Sequence, residues 1–240
     1  MCRSFKENVV LKLSLAMHFD AKTFSQNKKE VITRYSLKNM NCVYWYTLID
    51  GILIASPPEW AELCDTYLEE EEAPYTEEEL FKYLPGVLQR DPNEHIYFGY
   101  LNPNKWEITK KNAKGIVSRF EDLEEDKKRE VVEFLKVRDN DDLLVDVEHD
   151  VCVVVYDEFE IKGVASMIYH ARHILDAAIC IKEGFEGRGF EESLVKVMYE
   201  KAKNENYLFE ILNNEKEILQ RKVLSEIGFE YLLKRNKYTR

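Results

Sequence analysis

The segment IKEGFEGRGFEESL (181–194) carries the residue types best suited to chemistry in this 240-residue chain. Gly184, Gly187 and Gly189 follow an apolar run and precede a helix-like pattern, so the backbone can turn sharply and approach a ligand with no Cβ in the way. Amides freed at the start of the next helix point outward, and the helix dipole favours an anion there. A pyrophosphate would sit on the amides of roughly Gly187 to Glu191, with Arg188 adding charge. Glu186 and Glu191 oppose this, because two unit charges ~5 Å apart repel by roughly 3 kcal/mol at an effective dielectric of about 20. On spacing alone the segment reads equally well as a tight strand-to-helix turn.

Acid–base candidates are few. Asp176 near the start of the preceding strand, His170 and His173 in YHARHI, and Glu210 in LFEIL are placed to take a proton from a substrate. The H-x-x-H pair has no third ligand, so no metal site is expected. Cys2, Cys42, Cys64, Cys152 and Cys180 form no CxxC pair and read as reduced thiols. Neither a G-x-S-x-G elbow nor a G-x-x-x-x-G-K-[ST] phosphate loop occurs.

The elements around these residues sharpen after position 150. VCVVVYD, IKGVASMIYHA and ILDAAICIK read as three strands, followed by a helix over GFEESLVKVMYEKAKNEN. The strand YLFEIL, the helix EKEILQRKVLSEIG and the strand FEYLLKR close the chain, with Gly228 where a helix C-terminal glycine belongs. Earlier, residues 24–37 read as a helix and 42–56 as a hairpin turning at Asp50-Gly51. A helix capped near Ser56 runs to the break at Pro74, and Thr76 with Glu79 caps another. HIYFGYL (95–101) and WEIT (106–109) read as strands, and 120–139 as a long charged helix with one apolar face. The order predicts an α+β (mixed α/β) fold, divided near LNPNKW into 1–105 and 106–240.

A formal charge of −11 argues against non-specific binding to nucleic acid or anionic membrane and permits a cationic acceptor. No apolar run approaches the roughly 20 residues of a membrane span, and VVLKLSLAM lacks the marks of a signal peptide, so a cytoplasmic protein is expected.

In order and spacing, residues 106–240 resemble the GNAT superfamily of acyl-CoA-dependent N-acyltransferases. The matching pieces are Ile161-Lys162-Gly163, Ile181 to Glu191, Asn213-Asn214 and Gly228-Phe229. The resemblance implies a mixed sheet flanked by helices, with acetyl-CoA as acyl donor and a small amine as acceptor, joined directly in a ternary complex. It places Phe185 on the family's tyrosine, Glu186 on its Arg or Gln, Gly187, Arg188 and Gly189 on its central glycine motif, and Glu191 on its last glycine. It implies cofactor contacts from Cys180, Ile181, Glu186, Gly187, Arg188, Gly189, Phe190 and Glu191, with Asn214 on the pantetheine arm. The family's tyrosine acid falls on Leu224 here. The departures at Glu186, Glu191 and Leu224 keep a second reading open: a degenerate domain that senses a CoA-like ligand or binds a partner. Residues 1–105 read as a smaller α/β domain, with a diverged lobe of the same fold as one option. Its Tyr44, Trp45, Tyr46, Tyr97 and Phe98 are candidates to line an acceptor cleft.

Overall fold

The computed structural model describes residues 4–19, 21, 29–49, 51–72, 74–91, 94–106, 115–137, 144–171 and 173–240, with the side chains of 170 and 171 outside that set. The chain falls into two compact units, Met1–Tyr97 with Leu232–Arg240, and Phe98–Tyr231. The chain leaves the first unit after Tyr97 and re-enters it at Leu232, within its last strand.

The first unit begins with helix α1 (Phe5–Met17), closed at its start by a reciprocal capping box between Ser4 and Glu7. Strands β1 (Lys29–Thr33), β2 (Cys42–Leu48) and β3 (Gly51–Ser56) follow. The expected helix over 24–37 is corrected: within it Val31, Ile32 and Thr33 lie in β1, paired parallel to β3, and Tyr35–Leu37 form a single 3-10 turn. Three consecutive β-branched residues suit a pleated, half-buried surface better than a helix. The β2–β3 hairpin forms as expected, Leu48 opposite Gly51.

Helices α2 (Ala61–Glu70) and α3 (Glu77–Tyr83) pack Cys64, Tyr67, Leu68 and Leu80 against Trp45 and Ile54. Thr76 caps α3 through the Glu79 amide at 3.3 Å. Ser56 does not cap α2; it is buried at the end of β3, and Pro57 and Pro58 open a 3-10 turn before the helix. The short strand β4 (Gln89–Arg90) pairs with the chain's last residues.

In the second unit, β5 (Ile96–Leu101), β6 (Ile116–Arg119), β7 (Val151–Tyr156), β8 (Ile161–Ala171), β9 (Ile174–Ile181) and β10 (Leu208–Asn214) make a mixed sheet. Strands β6 through β9 are antiparallel in succession, and β10 lies parallel to β9 on its other side. That parallel step is made by helix α5 (Phe190–Asn204), which crosses one sheet face. Its buried Leu194, Val195, Met198 and Ala202 recur at helical spacing and meet Val153, Ala165, Leu175, Ala177 and Ile179. Burying each large side chain contributes about 2 kcal/mol.

The opposite sheet face carries α4 (Glu125–Val137), with Val131 against Cys152, Val154, Val164, Ala178 and Cys180. The expected long helix is shorter at its start, because Phe120–Asp122 form a separate 3-10 turn. The expected strand at 106–109 lies almost wholly outside the described residues. Helix α6 (Ile218–Ile227) ends at Gly228, whose φ of 118° is left-handed, and strand β11 (Phe229–Thr239) follows. A Cβ at Gly228 would also stand 3.0 Å from the Lys105 carbonyl oxygen.

Candidate functional site

The parallel ladder between β9 and β10 stops before either strand does. It runs from Ile174 opposite Leu208 to Ala177 opposite Ile211, yet β9 continues to Ile181 and β10 to Asn214. Backbone groups bared by such a parting need other partners. The Ile179 carbonyl finds one in α6, accepting from Gln220 Nε2 at 2.7 Å. A hydrogen-bonded chain holds that amide in place: Tyr231 donates its hydroxyl to Asn213 Oδ1 at 2.6 Å, and Asn213 Nδ2 donates to Gln220 Oε1 at 3.0 Å. Burial pushes the Tyr231 phenol well above its ordinary range, so it remains a donor.

Two clefts border the unpaired stretch of β9. One, of about 220 Å³, is lined by Ile179, Cys180 and Ile181 of β9, by Glu186, and by Lys216, Glu217, Leu219 and Gln220 around the start of α6. The other, of about 300 Å³, is walled by Leu144, Val145, Ile168, Ala177, Ala178 and Leu212, with Asp146, His149 and Asp176 as its polar members.

The glycine segment joins the first cleft to α5. Gly184, Gly187 and Gly189 have φ of 79°, 69° and 96°, so the chain curls through left-handed conformations that side-chain-bearing residues resist. Gly189 caps α5 without a side chain, as a loop that leaves its amides available would. The amide of Gly187 is taken, however: it donates to Glu191 Oε1 at 2.9 Å. Glu191 is fully buried, and its Oε2 has no hydrogen-bond partner among the described residues. Burial raises its carboxyl pKa, with Glu192 and Glu186 adding to the effect and the Gly187 amide opposing it. An internal carboxylate therefore sits where an incoming anion was expected.

Arg188 lies over the Phe185 ring, its guanidinium 4.9 Å from the centroid, and Lys162 covers the same ring at 4.1 Å. Lys162 is held by Asp157 at 2.9 Å and Glu160 at 2.6 Å, and Lys182 also pairs with Glu160. This cluster fastens the β7–β8 turn to the loop. Gly163 permits the close approach: a Cβ there would lie 3.1 Å from the Cys180 carbonyl and 2.6 Å from Ile181 Cδ1.

Among the acid–base candidates, Asp176 and Glu210 are brought together as direct partners across the β9–β10 ladder, and both are buried. Only Asp176 lines the second cleft. His170 lies in β8, with its side chain outside the described residues, and His173 is exposed in the β8–β9 turn, its ring 6.0 Å from that of Tyr207. Cys180 and Ile181 line the first cleft, whereas Phe190 packs into the core beside Phe185. Asn214 is buried at the end of β10, its Nδ2 without a hydrogen-bond partner among the described residues. Leu224 is fully buried in the core. Trp45 belongs to the core of the first unit, and none of the expected aromatics lines either cleft.

His149 escaped the sequence reading. It stands in the acidic run DVEHD, where no periodicity marks it, and only the β7–β8 pairing carries Ser166 to its side.

Neither a family model nor a curated protein sequence matches the chain. Solved structures that align with part of the chain include a GNAT-family acetyltransferase from Colwellia psychrerythraea, at 9% identity and TM-score 0.49 over 67% of this chain and 60% of that one. A GCN5-related N-acetyltransferase from Kribbella flavida is 10% identical with TM-score 0.48, over 79% of this chain and 68% of that one. A GNAT-family acetyltransferase from Streptococcus pneumoniae is 14% identical with TM-score 0.39, over 52% of this chain and 98% of that one. Identities of this order say nothing of substrate, and the chemistry rests on the chain's own residues.

Proposed function

We propose that the second unit is an acyl-CoA-dependent N-acyltransferase of the GNAT type, acting on a small primary amine with acetyl-CoA as donor. One observation carries the reading: β9 parts from β10 after Ala177, and consecutive residues of β9 across the parting wall two clefts, Asp176 to Ala178 one, Ile179 to Ile181 the other. A thioester arm in the first cleft would bring its carbonyl to the gap between the strands. An amine in the second would meet it from the other side. Holding both reactants at that gap supplies much of the rate by proximity.

In the transfer, the amine nitrogen attacks the thioester carbonyl carbon, a C–N bond forms and the C–S bond breaks. Asp176, the buried carboxylate of the acceptor cleft, receives the amine's proton directly or through water. The sulfur leaves and is protonated to the CoA thiol. Asn214 Nδ2 supports a donor arm near the end of β10, being a buried amide with no present acceptor among the described residues. The chain from Tyr231 through Asn213 holds Gln220 in the lining of the donor cleft.

Glu191 favours a second reading, in which the domain binds a CoA-like ligand weakly and senses it without turnover. Release of thiol from acetyl-CoA against a panel of primary amines separates the two. Amine-dependent release that Asp176→Asn abolishes supports transfer; saturable donor binding with no release for any amine supports sensing.

A further inference from the structure

The acceptor cleft holds a histidine whose tautomer the surrounding hydrogen bonds decide. Ser166 is buried in β8, and its Oγ has two polar neighbours, the Asp146 amide at 3.0 Å and His149 Nδ1 at 2.8 Å. The amide can only donate, so the serine hydroxyl hydrogen has one available acceptor among the described residues, His149 Nδ1. That pairing leaves the ring proton of a neutral imidazole on Nε2, whereas Nδ1–H would leave the hydroxyl hydrogen without an acceptor among the described residues. The turn that carries it is tied down as well: the His149 amide donates to the Asp146 carbonyl at 3.4 Å, Asp146 Oδ1 accepts from the Glu148 amide at 2.9 Å, and Asp150 Oδ2 accepts from the Tyr169 amide at 2.9 Å.

In that tautomer Nδ1 accepts from Ser166 and Nε2 carries the hydrogen, so the ring offers the cleft a donor and not a base. It is a preset donor in a cleft whose apolar walls are Leu144, Val145, Ile168, Ala177, Ala178 and Leu212, with two carboxylates, the exposed Asp146 and the buried Asp176. A ligand complementary to this set has an apolar body, an amine for Asp176 and an oxygen acceptor for the imidazole N–H. A site built to hydrogen-bond a substrate discriminates strongly against an analogue lacking that group.

We propose that His149 is a specificity-determining residue of the acceptor site, selecting primary amines that bear a carbonyl or hydroxyl oxygen close to the nitrogen. This rests on the acyl-transfer reading for its biological sense, but its test does not need turnover. The full chain, with 15N-labelled histidine, is studied by long-range 15N–1H NMR, His149 being assigned by the signal lost in His149→Gln. The expected spectrum shows the Nε2–H tautomer, and Ser166→Ala relaxes it towards a mixture. Phenylalaninamide should shift the His149 Nε2 signal and bind about tenfold tighter than 2-phenylethylamine, a difference of about 1.4 kcal/mol. His149→Leu should erase the preference, and His149→Gln, which still offers an N–H, should keep part of it. An Nδ1–H tautomer, or equal affinity for the two amines in the unaltered protein, overturns the proposal. Acetyl-CoA added to the same sample separates the two claims. Failure to bind it sinks acyl transfer and leaves the His149 result standing, whereas normal donor binding beside an indifferent His149 sinks this inference alone.

Discussion

The amide of Gly187 donates to the carboxylate of Glu191 at 2.9 Å, so the first turn of α5 supplies its own anion to the loop that precedes it. Donor and acceptor are four positions apart, and the left-handed glycines at 187 and 189 make the return possible. A pyrophosphate approaching these amides meets a buried negative group, not an empty curl of N–H donors.

Glu191→Gln should therefore tighten acetyl-CoA binding by about tenfold, since the amide oxygen can still accept from Gly187 while the charge is gone. Glu186→Gln, in the lining of the donor cleft, should gain less. Calorimetric titration of the two variants checks the order; equal affinities would show that Glu191 does not contest the donor site.

The same residue sets a pH dependence of stability. Burial holds the Glu191 pKa above its ordinary 4.5 in the folded protein. For an acid raised in this way, the folded state binds the proton more tightly, so its contribution is present below pH ~4.5 and is lost as pH rises through the folded value. Thermal melts of Glu191→Gln against the unaltered protein should show a stabilising difference at pH 7 that shrinks towards pH 4. A difference independent of pH would contradict the assignment.

Tyr231→Phe removes the donor to Asn213 and leaves Oδ1 short of a partner, at a cost of about 1–3 kcal/mol. Gln220→Leu should cost a similar amount, because it takes the donor from the Ile179 carbonyl and leaves the Asn213 amide with Glu217 alone. Denaturant unfolding measures both, and the double variant should cost less than the sum because the groups form one chain.

Gly163→Ala places a Cβ 3.1 Å from the Cys180 carbonyl and against Ile181, so it should destabilise the second unit by about 1–3 kcal/mol. Because Ile181 lines the donor cleft, donor affinity should fall with it. Unchanged melting and binding would show that the loop yields without consequence.

The strands after residue 150 were legible because apolar runs end at charged turns such as DEFE (157–160) or at the glycine segment, and the Thr76 cap on the Glu79 amide was legible as spacing. Residues 24–37 misled because lysine and glutamate flank a short β-branched run whose strand character depends on a partner, β3, later in the chain. Asp176 and Glu210 were each visible as acids, but their adjacency is a product of parallel register. The turn of Glu191 back onto Gly187 was hidden for a different reason. A glutamate early in a helix ordinarily faces solvent, and only the loop's left-handed backbone brings the amide within its reach. Ser166 and His149 stand 17 residues apart and meet only through the β7–β8 pairing.

The central claim is that the parting of β9 from β10 forms an acyl-CoA site, and isothermal titration of acetyl-CoA into the unaltered protein and Glu191→Gln in parallel tests it most directly. Saturable one-to-one binding by both, tighter in the variant and weakened in each by Gly163→Ala, is the predicted result. Absence of binding to either protein at millimolar acetyl-CoA would contradict it.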